Sequence, residues 1–416
     1  MKDKISRYAT AMGLLAMSLW TVACGGSTNP PNTSASSDKG PIQVWTMEDS
    51  KSFQAQMDDF TRQTGIQVQV EAVPWANVND KLTTAVASGN GPDVMQVGLS
   101  LLPTFESAGA LMDLSPYVKD HPGLQSGNYL GAVAADQINP SGKVLSVPWV
   151  SDVRVLFYRT DILSAVGISA PPSTWTQFHD DAVKLAQRGH GKYGYYIPQW
   201  DSALPVEFTW DAGGNVLDSS GKVSFDTPQF KTAADFYISF YKDHAVPTAS
   251  DFDQTQGFIS GSAPMVISGP YLAAGITSAA PQLNGKWGVA KLPRDQADTS
   301  LFAGSNMGIW KGSKHVAASL RLLDFLAQPT AQVNWYKAAN ELPTAKSALT
   351  NATLTSDPMV KVYTDQLQDA KLLPLVPKWD KISQALLDSL NSIVLKGADE
   401  NSTLTKLNQT VASLQT

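Results

Sequence analysis

Hydrophobic and polar positions after Pro41 recur with two different periods, and each change of period marks a new element. Ile42, Val44 and Trp45 form a short apolar run that reads as a buried strand. Residues 53–63 carry apolar side chains at helical spacing and stop at Gly65, a residue suited to ending a helix. Ile66, Val68 and Val70 then alternate with Gln67 and Gln69, as in a half-buried strand. Residues 78–87 return to helical spacing up to Gly89, and Asp93-Val-Met-Gln-Val97 is the next strand. Strand, helix, strand, helix, strand in this order predicts a parallel sheet with crossover helices, so the fold class is α/β.

Ligands of open α/β sheets bind beyond the carboxyl ends of the strands. The loops 46–49, 74–75 and 98–101 therefore face the expected crevice, which brings forward Glu48, Asp49 and Trp75. Farther along, the apolar segments 144–148 and 153–158 flank Trp149-Val-Ser-Asp152, which reads as a crossing between two lobes. A second α/β lobe is expected after it. Ser173 or Thr174 caps a helix with Gln177 in capping-box position, and 193–197 reads as a strand. Asp226-Thr-Pro228 opens a long helix with proline in its first turn. Segments 264–267, 288–292 and 306–310 add strands, and helices are expected at 315–327, 331–338, 360–372 and 382–395.

The amino terminus is built differently. Lys2, Lys4 and Arg7 precede an apolar run that ends at Trp20, and Thr21, Val22 and Ala23 are the small or short residues before Cys24, the chain's one cysteine. This predicts a signal peptide over 1–23, too short for a stable membrane-spanning helix. Cutting before a cysteine resembles the bacterial lipoprotein pathway, in which Cys24 would carry the lipid, although Thr21 stands where leucine is usual. Residues 25–40 are nearly all Gly, Ser, Thr, Asn, Pro and Ala, too little apolar surface to offset ordering, so 24–40 reads as a disordered tether. About 375 residues follow, more than one hydrophobic core usually spans.

Charge excludes some partners. The formal charge of −6 falls to −8 once residues 1–23 are removed, because they carry three cations and one anion, and no basic run invites nucleic acid. Catalytic signatures are scarce: there is no GxSxG, GxxxxGK[ST], HExxH or EF-hand pattern, and the five histidines lack ligand spacing. No catalytic residue, metal or cofactor is expected. Asp93 either accepts a ligand or caps the turn before a buried strand, and the structural role is favoured. Asp152, between two apolar strands at the crossing, is placed to accept hydrogen bonds from a ligand's hydroxyls. An aromatic face can cover the C–H side of a sugar ring, and Trp75, Trp200 and Trp379 are the candidates because each lies in a proline-bearing or polar loop.

A set of short motifs occurs in a recognisable order: Val44-Trp-Thr46, Ala87-Ser-Gly-Asn-Gly-Pro-Asp-Val94, Gly109-Ala-Leu-Met-Asp-Leu114, Val147-Pro148 with Leu156-Phe-Tyr-Arg-Thr-Asp161, Pro172-Ser-Thr-Trp175, Phe258-Ile-Ser-Gly-Ser-Ala-Pro-Met265 and Ile267-Ser-Gly-Pro-Tyr271. With the lipoprotein-type leader, the set resembles the family 1 extracellular solute-binding proteins, the maltose/maltodextrin-binding-like lipoproteins of bacterial ABC importers. The resemblance implies two α/β lobes joined by a multi-strand hinge with the ligand in the interlobe cleft. It places lobe 1 at about 41–149 plus 305–345 and lobe 2 at about 153–302 plus 350–416, with hinge segments near 149–152, 302–306 and 345–350. The family pattern carries Glu48, Asp49, Asp152, Tyr271 and Trp379 over as ligand contacts, with Asn306 at the second crossing. One departure stands out: relatives often have an aromatic and an acidic residue after the Pro-Asp strand, where this chain has Val97-Gly-Leu-Ser100.

The implied protein is a monomeric receptor on the outer face of the cell membrane, tethered by lipid on Cys24. It would capture a carbohydrate, an oligosaccharide by the same resemblance, and deliver it to the transmembrane subunits of an ABC permease. The alternatives are a receptor for another solute, such as a polyamine or a glycerol phosphate, with Arg154 and Arg294 weak support for phosphate, and an exported glycoside hydrolase using Asp152 with Glu207.

Overall fold

Ile42 and Val44 of the first strand, β1 (Ile42–Thr46), are fully buried while Gln43 is exposed, the alternation that places one face of a strand in a core. The protein is seen here as a computed structural model that describes residues 41–416, apart from positions 49, 75, 76, 135, 136, 138 and 140 and the side chains of Asn79 and Ala132. Cys24, the expected signal peptide 1–23 and the expected tether 24–40 lie outside the described residues, as do Asp49 and Trp75. Among the described residues no helix is long and apolar enough to cross a membrane.

Among the described residues eleven strands form two sheets. After β1 come β2 (Val68–Ala72), β3 (Val94–Gly98), β4 (Val147–Val153), β5 (Val155–Tyr158), β6 (Tyr195–Tyr196), β7 (Met265–Ser268), β8 (Gly288–Ala290), β9 (Ser300–Ile309), β10 (Leu342–Pro343) and β11 (Ala370–Leu372). The larger sheet runs β10-β4-β9-β3-β1-β2, with β11 alongside β9. β1 pairs in parallel with β2 and β3, as the alternating pattern predicts, and helices Ser50–Thr64 and Val78–Ser88 make the crossovers. The sheet as a whole is mixed, because β9 inserts antiparallel between β3 and β4. The smaller sheet runs β6-β7-β5-β8.

The chain changes sheet at narrow places. Only Arg154 separates β4 from β5, and the return runs from β8 to β9. β4 and β9 form a long antiparallel ladder whose register shifts between Pro148 and Val150. Opposite the shift, Gly304 has φ of 139°, and a Cβ there would lie 2.2 Å from the Val150 carbonyl oxygen. That close approach of two backbones accounts for the glycine.

Two helix caps match the sequence reading. Thr174 Oγ1 accepts from the Gln177 amide ahead of helix Trp175–Ala186, and Gln177 Oε1 in turn accepts from Ser173. Thr227 caps helix Pro228–Lys242. Two of the elements outside the expectation have a plain physical reason. Helix Leu204–Asp211 is buried on every side, so it has no polar face and no helical period to read. The helix expected through Leu372 ends at Leu367, and β11 takes up the last residues by pairing with β9.

Aromatic packing fills both cores. Phe53 meets Trp149 and Trp335 edge-on at 5.3 and 5.9 Å beneath the larger sheet. Trp175 stacks on Phe236 at 4.0 Å in the other core, where the closing helices Trp379–Lys396 and Glu400–Leu414 also bury Leu386, Leu390 and Val411.

Candidate ligand-binding cleft

The strand ends and the crossings open on one cavity of about 520 Å³. Glu48 follows β1, Gly98 ends β3 with Ser100 just beyond, Asp152 stands on β4, and Ser305 stands on β9. Trp200, Tyr271 and Trp379 complete the wall from loops and helix starts that belong with the smaller sheet or follow β11. These are the positions where strand termini leave room for a ligand.

Glu48 is held by a buried polar group on the neighbouring strand. Gln96 of β3, only 1 % exposed, accepts at Oε1 from Thr46 Oγ1 and from the Met47 amide at 2.9 and 2.7 Å. Its Nε2 donates to Glu48 Oε1 at 2.5 Å and to Ser305 Oγ at 2.8 Å. The loop after β1 is thereby fixed from below, which preorganises its carboxylate.

A carboxyl group that the sequence did not single out faces Glu48. Glu341 accepts from Trp335 Nε1 at 2.7 Å, hydrogen-bonds to Glu48, and is pushed up to about 9 by burial and then by the Glu48 charge. Asn340, in the left-handed region at φ 58°, turns the chain from helix Pro329–Ala339 so that Glu341 enters the cleft just before β10. No spacing rule announces such a position, which depends on one turn.

Asp152 stands where the sequence reading put it, at the crossing. Its Oδ1 is shut off from solvent and has no hydrogen-bond partner. Burial pushes its carboxyl up to about 6 against the opposing pull of Arg154. The carboxylate lies against the backbone of Gly269, where a Cβ would fall 2.5 Å from Oδ1.

Arg154 faces the cavity, but its guanidinium is already engaged. Nη1 donates to Asp201 Oδ2 at 2.7 Å and to Glu207 Oε2 at 2.8 Å, and Nη2 donates to Asp201 Oδ1 at 3.1 Å. Burial opposes its charge, yet the two carboxylates more than offset that and hold it protonated. Glu207 is fully buried and its other oxygen accepts from the Leu301 amide at 2.7 Å. Burial raises its carboxyl to about 7 against the pull of Arg154. With both oxygens bound, Glu207 presents no acid or base to the cleft, and the charge of Arg154 is already matched by two carboxylates.

Two exposed aromatic side chains rim the cavity, Trp200 at 66 % and Tyr271 at 55 %, and the half-buried Trp379 opens its helix after Lys378 turns through φ 60°. Asn306 is not in the wall. Its side chain is buried within the larger sheet and donates to Ser146 Oγ at 3.0 Å, while its neighbour Ser305 points into the cleft. Neighbouring strand residues face opposite ways, so the one-residue difference decides. Gly98, Leu99 and Ser100, where the motif departs from the family pattern, do line the cavity, and Leu373 to Leu375 after β11 add an apolar stretch that the sequence reading missed. Asp93 takes its structural role, accepting from the Gln43 amide and from Ser313 Oγ.

A family model described as bacterial extracellular solute-binding protein matches residues 45–333. A diacetylchitobiose binding protein of Streptomyces coelicolor is 24% identical over 397 residues, covering 90% of this chain and 89% of that protein. A maltooligosaccharide ABC transporter solute-binding lipoprotein of Streptococcus pneumoniae is 24% identical over 436 residues, covering 99% of each chain. The solved structure of the sugar-binding protein MalE from Xanthomonas citri is similar at a TM-score of 0.83 and 27% identity, over 90% of this chain and 97% of that one.

Proposed function

The chain belongs to the bacterial extracellular solute-binding proteins, which bind their substrates without transforming them, and from that premise we propose that it is the receptor of an ABC importer for a saccharide. The observation that carries this reading is the cleft itself, in which carboxyl groups converge under three aromatic side chains. Carboxylates accept hydrogen bonds from sugar hydroxyls, and flat aromatic faces cover the C–H side of a pyranose ring. Glu48, Asp152, Trp200, Tyr271 and Trp379 are the proposed contacts, joined by Glu341.

In this proposal lobe 1 comprises about 41–149 plus 305–345 and lobe 2 about 153–302 plus 350–416. Closure of one on the other about the β4–β9 ladder would be selected by a ligand that touches both. A permease then reads the closed form. Lipid on Cys24 would hold the receptor beside that permease and raise its local concentration. The charge of Arg154, already balanced by Asp201 and Glu207, argues against a glycerol phosphate.

Thermal unfolding against a panel of mono- and oligosaccharides tests the reading. A ligand that binds only the native state raises stability by about 2.7 kcal/mol at a hundredfold excess over Kd, so one member of the panel should lift the melting temperature and the others should not. A flat response across the whole panel would refute the saccharide reading.

A further inference from the structure

Resting on the saccharide reading, we propose that the ligand is an amino sugar with a free amine, whose ammonium group sits against Asp152 and the Glu48–Glu341 pair. The charge of the wall carries the argument. Among the described residues that line the cavity, Glu48, Asp152, Glu341 and Asp201 face one cation, Arg154. That cation is consumed by Asp201 and by the buried Glu207. Glu341 hydrogen-bonds to Glu48, so two carboxyl groups meet there rather than a carboxyl and a cation, and Asp152 forms no ion pair among the described residues.

A neutral sugar would meet these groups at a disadvantage. Closing a cleft removes water from its walls, and a carboxylate stripped of water without a counter-charge is costly even when hydroxyls donate to it. Asp152 Oδ1 is already sealed from solvent and unpartnered. An ammonium supplies donors, as a hydroxyl does, and also the counter-charge that a hydroxyl lacks. A metal ion does not fit the same wall, since among the described residues no group of three or more His, Cys, Asp or Glu side chains could hold one. A linear polyamine would satisfy the carboxylates but offer no ring face of C–H groups to Trp200, Tyr271 and Trp379. The same aromatic faces attract a cation as well as C–H groups.

Calorimetric titration with matched sugars tests this. Glucosamine, galactosamine and the β-1,4 glucosamine disaccharide are compared with their N-acetylated and hydroxyl counterparts and with spermidine. At least one free amine should bind tenfold or more tightly than both of its neutral counterparts, with the preference shrinking as salt rises. In Asp152→Asn the ratio of amine to neutral affinity should fall to within about threefold, a factor of three being ~0.65 kcal/mol. Glu341→Gln serves as a second variant should Asp152→Asn fail to fold, and it should lower the same ratio. Neutral sugars binding as well as amines, or better, would overturn the amino-sugar proposal and leave the saccharide receptor standing. Spermidine binding above every sugar would overturn both, as would silence from amines and neutral sugars alike.

Discussion

Gly269 has no space for a side chain on its cleft side, because a Cβ would fall 2.5 and 2.7 Å from the two oxygens of Asp152. Gly269→Ala should therefore push that carboxylate out of position and weaken ligand binding about tenfold, ~1.4 kcal/mol, with little change in melting temperature, since a side-chain tip moves easily. Calorimetry beside thermal unfolding checks both halves. Asp211 shows another consequence of burial. Its carboxyl, 1 % exposed and accepting from the Thr299 amide, is raised to about 9 by burial and then by Glu207. A folded-state pKa above the unfolded one means the folded protein holds the proton more tightly. The stability this brings is complete below the ordinary carboxyl range near 4 and drains away as pH climbs toward 9. Asp211→Asn should flatten the fall of melting temperature between pH 5 and pH 9. Among the cleft residues, those in loops past strand ends or at the crossing were legible in the sequence: Glu48, Asp152, Trp200, Tyr271 and Trp379 all reach the cavity. That Asn306 turns away from the cavity was not legible, because its direction depends on strand parity at a β9 register no single segment specifies. Glu341 was not either, because its placement hangs on the left-handed turn at Asn340.

At the level of elements, β9 does more than pair. It contacts β3, β4 and β11 along its ten residues, and Gly304 is the point where its backbone presses on Val150. Gly304→Ala would force an alanine into φ 139° and a methyl group into the Val150 carbonyl, a cost of about 2–4 kcal/mol. Denaturant unfolding should show that loss as a lower midpoint with an unchanged slope. The strands of the opening α/β repeat were readable because one buried face and one wet face leave a period. Helix Leu204–Asp211 was silent because burial on all sides erases the period, and β11 was hidden because three residues borrow their strand character from β9.

For the molecule as a whole, Arg154 joins backbone to charge at the place where the chain leaves one sheet for the other. Its amide donates to Ser300 Oγ, which donates back to the Arg154 carbonyl, while its guanidinium binds Asp201 and Glu207. Arg154→Met would leave two buried carboxylates without a counter-charge and should destabilise by about 3–5 kcal/mol at pH 8. The loss should be smaller at pH 5, where Glu207 takes up a proton instead of ionising unpaired. Chemical denaturation at the two pH values distinguishes this from a simple packing defect, which would cost the same at both. The two-lobed plan was foreshadowed by the length of the chain and by the apolar segments on either side of Trp149 and Asp152. The ion-paired floor was not, because Asp201 and Glu207 lie 47 and 53 residues from Arg154 in sequence.

The exposure of Trp200 has an optical consequence. This indole stands two-thirds open to solvent at the cavity mouth, while Trp149, Trp210, Trp310 and Trp335 are buried and give a steady background. Shutting the mouth would move Trp200 from water into an apolar setting and shift its emission toward the blue. In the proposed closure the protein would carry its own fluorophore at the moving edge, so that rapid mixing could time the capture of a ligand without any attached dye.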